Sequence, residues 1–232
     1  VQFIESSIIG VRSARLSFAS RGDPVRITLF PMVHVGEPEF YEATYRDALS
    51  HDVVLTEGVR SPITTRITRS YRWLVGSKAM IGLVVQPRFP VEGASARIVH
   101  ADLSGEEFER EWRAVPLWMR AAIYVVVPII GLLRRYSSKA SLAKNMACED
   151  QPSMSELLAM SPETGALTQA IMHSRDQRLI ERLSAELDSP VSPRTLAIIY
   201  GAAHMRAVVR ELTTNRRYYV DASEWRPVLI FD

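Results

Sequence analysis

Cysteine is almost missing from this chain of 232 residues: Cys148 stands alone. One cysteine excludes an internal disulfide framework and any cysteine-based zinc knuckle. Cys148 itself is expected as a small, partly buried helical residue without a chemical role. An excess of one charge is missing too, since 28 Lys and Arg face 26 Asp and Glu, and the basic residues read as scattered along the chain. A nucleic-acid footprint needs a clustered basic stripe, so no nucleic-acid partner is expected. No low-complexity tract or solenoid repeat appears. The longest apolar run, Ala121–Leu133, falls short of the roughly 20 residues that span a bilayer, and Pro128 and Gly131 weaken it as a straight helix. It is expected as a buried or interfacial helix, which leaves open a surface anchor or a lid over an apolar groove. The localisation expected from these features is cytoplasmic or membrane-associated.

What is present is an ordinary globular balance, 47% apolar and 23% charged residues, enough to build a substantial core in one domain over 1–232. The weak alternation at 3–19, broken at Gly10, predicts a hairpin. Arg26–Val35 is a mostly apolar run, as in a strand buried on both faces. After Gly36, the segment Glu37-Pro38-Glu39 opens a helix with proline in its first turn and carboxylates near its positive end. A second buried strand over Asp52–Val59 completes a βαβ unit whose strands should run parallel.

An apolar, helical insertion is expected at about 63–150, containing a short strand at Arg97–Leu103 and a capping box from Ser104 to Glu107. A long helix over Glu163–Leu187 and a third buried strand over Thr195–Tyr200 follow. Short strands at Arg217–Asp221 and Pro227–Phe231 end the pattern. The fold class is therefore α/β, a mixed and largely parallel sheet built from two βα units. The halves echo each other: a buried strand leads to a histidine, then a helix, then a strand with a carboxylate. His34 and Glu57 form the first copy, His204 and Asp221 the second.

Those strand exits hold the candidate chemistry. In an open parallel sheet, functional side chains gather beyond the carboxyl ends of the strands. His34 ends an apolar strand with an ionisable ring, which packing alone explains poorly. Glu57 closes the run Val53-Val54-Leu55 and needs a cation, a metal or strong donors if buried. His204 follows the small-residue turn Gly201-Ala202-Ala203. Two imidazoles and a carboxylate are the ligand set of an open catalytic metal site. A metal-free arrangement uses the same residues: one histidine as general base oriented by Glu57, with an arginine stabilising an oxyanion. His100 and Asp102 end another short strand and are candidates for the rim of a cofactor or substrate site. Asp102 can equally cap the helix that follows. His51 and His173 read as solvated histidines.

Four segments in order, Pro31–Val59, Arg97–Phe108, Ser174–Leu183 and Leu196–Leu212, resemble the TraB/PrgY/TIKI-type families. Those families belong to a wider EreA/ChaN-like group that includes haem-binding proteins and erythromycin esterases. Their pattern has two Gly-x-x-His turns, a glutamate after the second strand and an arginine in a late helix. It maps onto His34, Glu57, Arg175 and His204. The second turn matches in full; the first has Pro31 where glycine is expected, which removes the close backbone approach glycine permits.

The resemblance implies a divalent metal (zinc, manganese or cobalt) on His34, Glu57 and His204, with Arg175 neutralising developing charge. It implies a metal-dependent hydrolase, foremost a peptidase, acting on a peptide or an apolar small molecule. The alternative it carries is a non-enzymatic binder of haem or a hydrophobic peptide, with Tyr71, Tyr124 and Met205 as candidate haem ligands. The apolar middle region leaves a membrane surface or a homodimer as partners that would cover it.

Overall fold

The computed structural model describes residues 1–134, 136, 138–144, 146–151, 165–190 and 195–231. In chain order its elements are β1 (Gln2–Ser6), β2 (Gly10–Ala19), β3 (Arg26–Met32), β4 (Val35–Gly36), α1 (Pro38–Ala48), β5 (Val53–Thr56), α2 (Pro62–Val75), β6 (Val84–Val85), β7 (Arg97–His100), α3 (Gly105–Ala114) and α4 (Leu117–Arg134). Then come α5 (Lys139–Ala143), β8 (Cys148–Glu149), α6 (Gly165–Thr168), α7 (Ser174–Leu187), β9 (Thr195–Gly201), α8 (Met205–Arg210) and β10 (Tyr219–Ile230). A π-type turn, Gln169–His173, joins α6 to α7, so the expected long helix holds from Gly165; Glu163 and Thr164 lie outside the described residues.

The expected hairpin pairs β1 with β2, Ile4 opposite Ser13. The buried runs become the parallel half of an eight-stranded sheet, in the order β7-β5-β9-β3. Leu29 of β3 and Leu55 of β5 both lie opposite Ile198 of β9, one on each side. Val54, Leu55, Leu196, Ala197 and Ile198 are all 0% exposed. Strands without a polar face must be covered on both faces, and that demand puts β9 in the interior. The two strands of the first βαβ unit are parallel, as expected, but β9 sits between them. The two histidine-bearing strands, β3 and β9, are consequently neighbours.

The echo between the halves ends there. The two short terminal strands are one strand, β10, running antiparallel along β2 from Tyr219 to Ile230. Proline suggested a fresh start, but Pro227 instead sits at a register shift of the ladder, where a missing N–H is tolerated. Asp221 pairs with Arg26 at the opening of β3, the end of the sheet away from the histidines. Cys148, expected in a helix, lies in β8 and pairs with β1.

The insertion contains helices α2 to α5 and carries a small core of its own, centred on Phe108, Trp112 and Met119. Both capping-box bonds of Ser104 and Glu107 are formed. The stretch from 63 to 150 is nonetheless not all helical, for β7 and β8 join the main sheet.

His51, expected to be solvated, is only 9% exposed. Its Nδ1 meets the Asp47 carbonyl at 3.1 Å and its Nε2 meets the Thr28 hydroxyl at 2.9 Å. Burial drives its pKa below the ordinary 6.5, against the pull of the Asp47 carbonyl. The folded chain thus favours the neutral ring, so the stability it contributes is complete above 6.5 and declines as pH falls below that value. His51→Leu should cost about 1–3 kcal/mol, because the Thr28 hydroxyl is left buried without its partner. It should also flatten this part of the pH dependence, as read by urea unfolding on either side of neutrality.

Candidate functional site

Four adjacent parallel strands end on the same side, and each delivers one polar group there. His34 lies two residues beyond β3, Glu57 directly follows β5, Asp102 lies two residues beyond β7, and His204 closes the turn after β9. The backbone keeps these exits in register, since the Glu57 N–H donates to the Ile199 carbonyl at 3.1 Å and so extends the β5–β9 ladder by one residue.

Glu57 and Asp102 are held by one guanidinium. Nε of Arg175 donates to Asp102 Oδ1 at 2.9 Å, while its terminal nitrogen reaches Asp102 Oδ2 at 2.8 Å and Glu57 Oε1 at 2.6 Å. The Asp102 side chain is 0% exposed and also accepts from the N–H groups of Gly58 and Leu103. Glu57 turns its other oxygen to the N–H of Gly201. Burial opposes ionisation of both acids, yet both pKa values fall below the carboxylate range. For Glu57 the charge of Arg175 prevails, helped by His204 and His34; for Asp102 the Arg175 hydrogen bonds and charge prevail. The Arg175 pKa is raised in turn, its two carboxylates outweighing the desolvation that opposes the charge.

His204 is 5% exposed, and its Nδ1 faces Asp176 Oδ1 at 2.6 Å. Its ring meets Tyr200 edge-on, with centroids 5.0 Å apart. The Tyr200 hydroxyl is buried without a hydrogen-bond partner among the described residues. His34 differs in being exposed. Its ring lies 5.1 Å from Tyr71, and a long contact of 3.4 Å joins Nδ1 to the Gln86 amide oxygen. An Nδ1–H donating to that oxygen leaves Nε2 as the basic nitrogen.

Above the strand ends opens a cleft of about 930 Å³, lined by His34, Glu57, His100, Arg60 and Arg88 together with threonines of α2. His100 sits on its rim, with Nε2 donating to the Gly58 carbonyl at 2.8 Å. The expected residues therefore divide into two groups. His34, Glu57 and His100 line the cleft, whereas Arg175, Asp102 and His204 do not.

Among the described residues the Asp102 oxygens face Arg175 and two backbone N–H groups. No group of three His, Cys, Asp or Glu among the described residues is placed to hold an ion. Arg175 supplies positive charge to Glu57 and takes one of its oxygens. Arg175 itself is far from the surface ion pair its helical position allows; its side chain is 13% exposed.

Sequence reasoning missed Asp176, Tyr200 and the Gly201 N–H. Asp176 was legible only as the neighbour of Arg175, one residue further along the same helix. For Gly201 the signal was the glycine itself. A Cβ there would lie 3.2 Å from Glu57 Oε2 and 3.5 Å from the His204 ring. Gly201→Ala should push the pinned carboxylate off the backbone N–H and cost about 1–3 kcal/mol. Thermal unfolding would read that loss, and an unchanged midpoint would mean the carboxylate has room to move.

No family model, curated protein or solved structure matches the chain. The TraB/TIKI resemblance rests on the residues that carry it.

Proposed function

We propose that the chain is a hydrolase working by histidine acid–base catalysis, on a peptide or an acyl compound small enough for the cleft. The observation that carries this reading is the pairing of an accessible imidazole, His34, with a carboxylate, Glu57, that lines the same cleft and is locked in its ionised form. His34 Nε2 takes a proton from a water molecule as that water's oxygen bonds to the substrate carbonyl. The imidazolium so formed is stabilised by the fixed negative charge of Glu57, and its proton passes to the leaving nitrogen or oxygen as the bond to carbon breaks. Arg60 and Arg88 on the cleft wall supply positive charge for the oxyanion or a substrate carboxylate. Arg175 acts through Glu57 and is a positioning residue. Asp176 and His204 form a second orienting pair behind the same carboxylate.

The binder reading fares less well. Met205 is 0% exposed, which leaves it no open position from which to ligate haem. A panel of chromogenic esters and peptide anilides, assayed with the purified chain, tests the proposal. Turnover of at least one substrate class is the expected outcome, and a blank panel together with a haem absorbance band on titration would favour the binder.

A further inference from the structure

One face of α4, opposite the side packed on α2 and α3, is exposed among the described residues. Leu117 is 74% exposed, Trp118 65%, Val125 59%, Ile129 50% and Leu133 65%. Trp118, Val125, Val126, Ile129 and Leu133 fall at helical spacing and make one continuous stripe. An exposed apolar stripe of that length marks an interaction surface.

Charge tells what the surface meets. Read along the chain the basic residues look scattered, but α2 and α4 themselves carry no acid, the neighbouring acids lying on α3. No Asp or Glu occurs between Glu57 and Glu92, or between Glu111 and Glu149. These two acid-free stretches contain α2 and α4, which pack on each other through Ile63, Ile67, Ile123 and Tyr124. The Arg66 guanidinium lies 5.2 Å from the centre of the Tyr124 ring, and further along α2 and just past its end Arg69, Arg72 and Lys78 are exposed. The result is an apolar helix bordered by cations without a compensating carboxylate on either helix.

We propose that α4, with the basic face of α2 beside it, docks on an anionic lipid bilayer. The helix lies in the interface and does not cross it. No single helix among the described residues is long and apolar enough to cross, and α3 with α4 passes that test only as a pair bent by 113°. An apolar face bordered by lysine and arginine is the composition of an interfacial helix, and Trp118 near its start suits the headgroup level. A second copy of the chain fits worse, because a symmetric contact through α4 brings like-charged arginines together. Nucleic acid would satisfy the cations and leave the apolar stripe in water. This inference is independent of the chemistry assigned to the cleft.

The test is co-sedimentation of the full chain with vesicles of phosphatidylcholine, with and without phosphatidylglycerol. Binding is expected to the anionic vesicles and to weaken with added salt. Val126→Asp with Ile129→Asp, both at exposed positions, should lower the bound fraction at anionic vesicles at least about tenfold while leaving the circular dichroism spectrum unchanged. Arg69→Glu with Arg72→Glu should remove the preference for anionic over neutral lipid. Equal binding by wild type and the Val126/Ile129 variant would overturn the proposal. So would a wild-type dimer, dissolved by those same substitutions, that ignores vesicles, or binding to an oligonucleotide in preference to lipid.

Discussion

Arg175→Met is expected to lower the free energy of unfolding by about 3–5 kcal/mol, several times the effect of losing a surface ion pair. The size follows from what is left behind. Asp102, with a side-chain exposure of 0%, and Glu57, with 16%, would both lose the cation that holds them ionised. Arg175→Lys keeps the charge but cannot reproduce the planar fork that reaches both acids, so it should recover only part of the loss. Asp102→Asn in the Arg175→Met background should recover more, because it removes the unpaired buried charge while its one amide oxygen keeps either the Gly58 or the Leu103 N–H.

The same network fixes the sign of the acid response. Glu57 and Asp102 have folded pKa values below their ordinary ones. Their stabilisation is therefore complete above the free carboxylate range, about 4, and is lost as pH falls through the lowered folded values. Without Arg175 the buried carboxylates favour the protonated form, and the stability gap between wild type and Arg175→Met should narrow on acidification. Urea unfolding across that range reads both the gap and its narrowing. A gap that stayed under about 1 kcal/mol at neutral pH would show that Arg175 is an ordinary surface cation after all.

His34→Ala is expected to do the opposite: it should leave stability within about 0.5 kcal/mol of wild type and lower hydrolysis by about 10²–10⁴-fold. The ring is exposed, lies against Tyr71 and makes one long polar contact, so little folding energy depends on it. Its loss removes the basic nitrogen nearest the open cleft. Stability and activity thus separate between Arg175, which holds the floor of the site, and His34, which works above it. An active His34→Ala would contradict the assignment of His34 as the base.

The apolar runs made β3, β5 and β9 legible, and a polar residue at the exit of each marked the candidate site. That logic works because a strand buried on both faces can place an ionisable side chain only at its end. The connections behind the strands were not legible in the same way. Arg175 and Glu57 are 118 positions apart, and Arg175 and Asp102 are 73 apart. No local periodicity signals such a pair, because it exists only once the start of α7 lies against the ends of β5 and β7.

His51 was misread for a related reason. A histidine at a helix end looks solvated until β3 places Thr28 against it. The partner of Glu57 was hidden in the same way: two histidines and a glutamate read as possible ligands, and only the fold brings Arg175 onto that glutamate. The charge segregation behind α4 was hidden because an acid-rich helix, α3, separates the two acid-free stretches in sequence.

The most direct measurement is hydrolysis by the purified chain in the presence of a strong chelator, compared with the same assay after loading with zinc, manganese or cobalt. An ionic site built on Glu57 and Arg175, with His34 as base, predicts turnover that survives the chelator and gains nothing from added metal. Turnover that appears only with added metal would contradict it and return His34, Glu57 and His204 to the role of ligands.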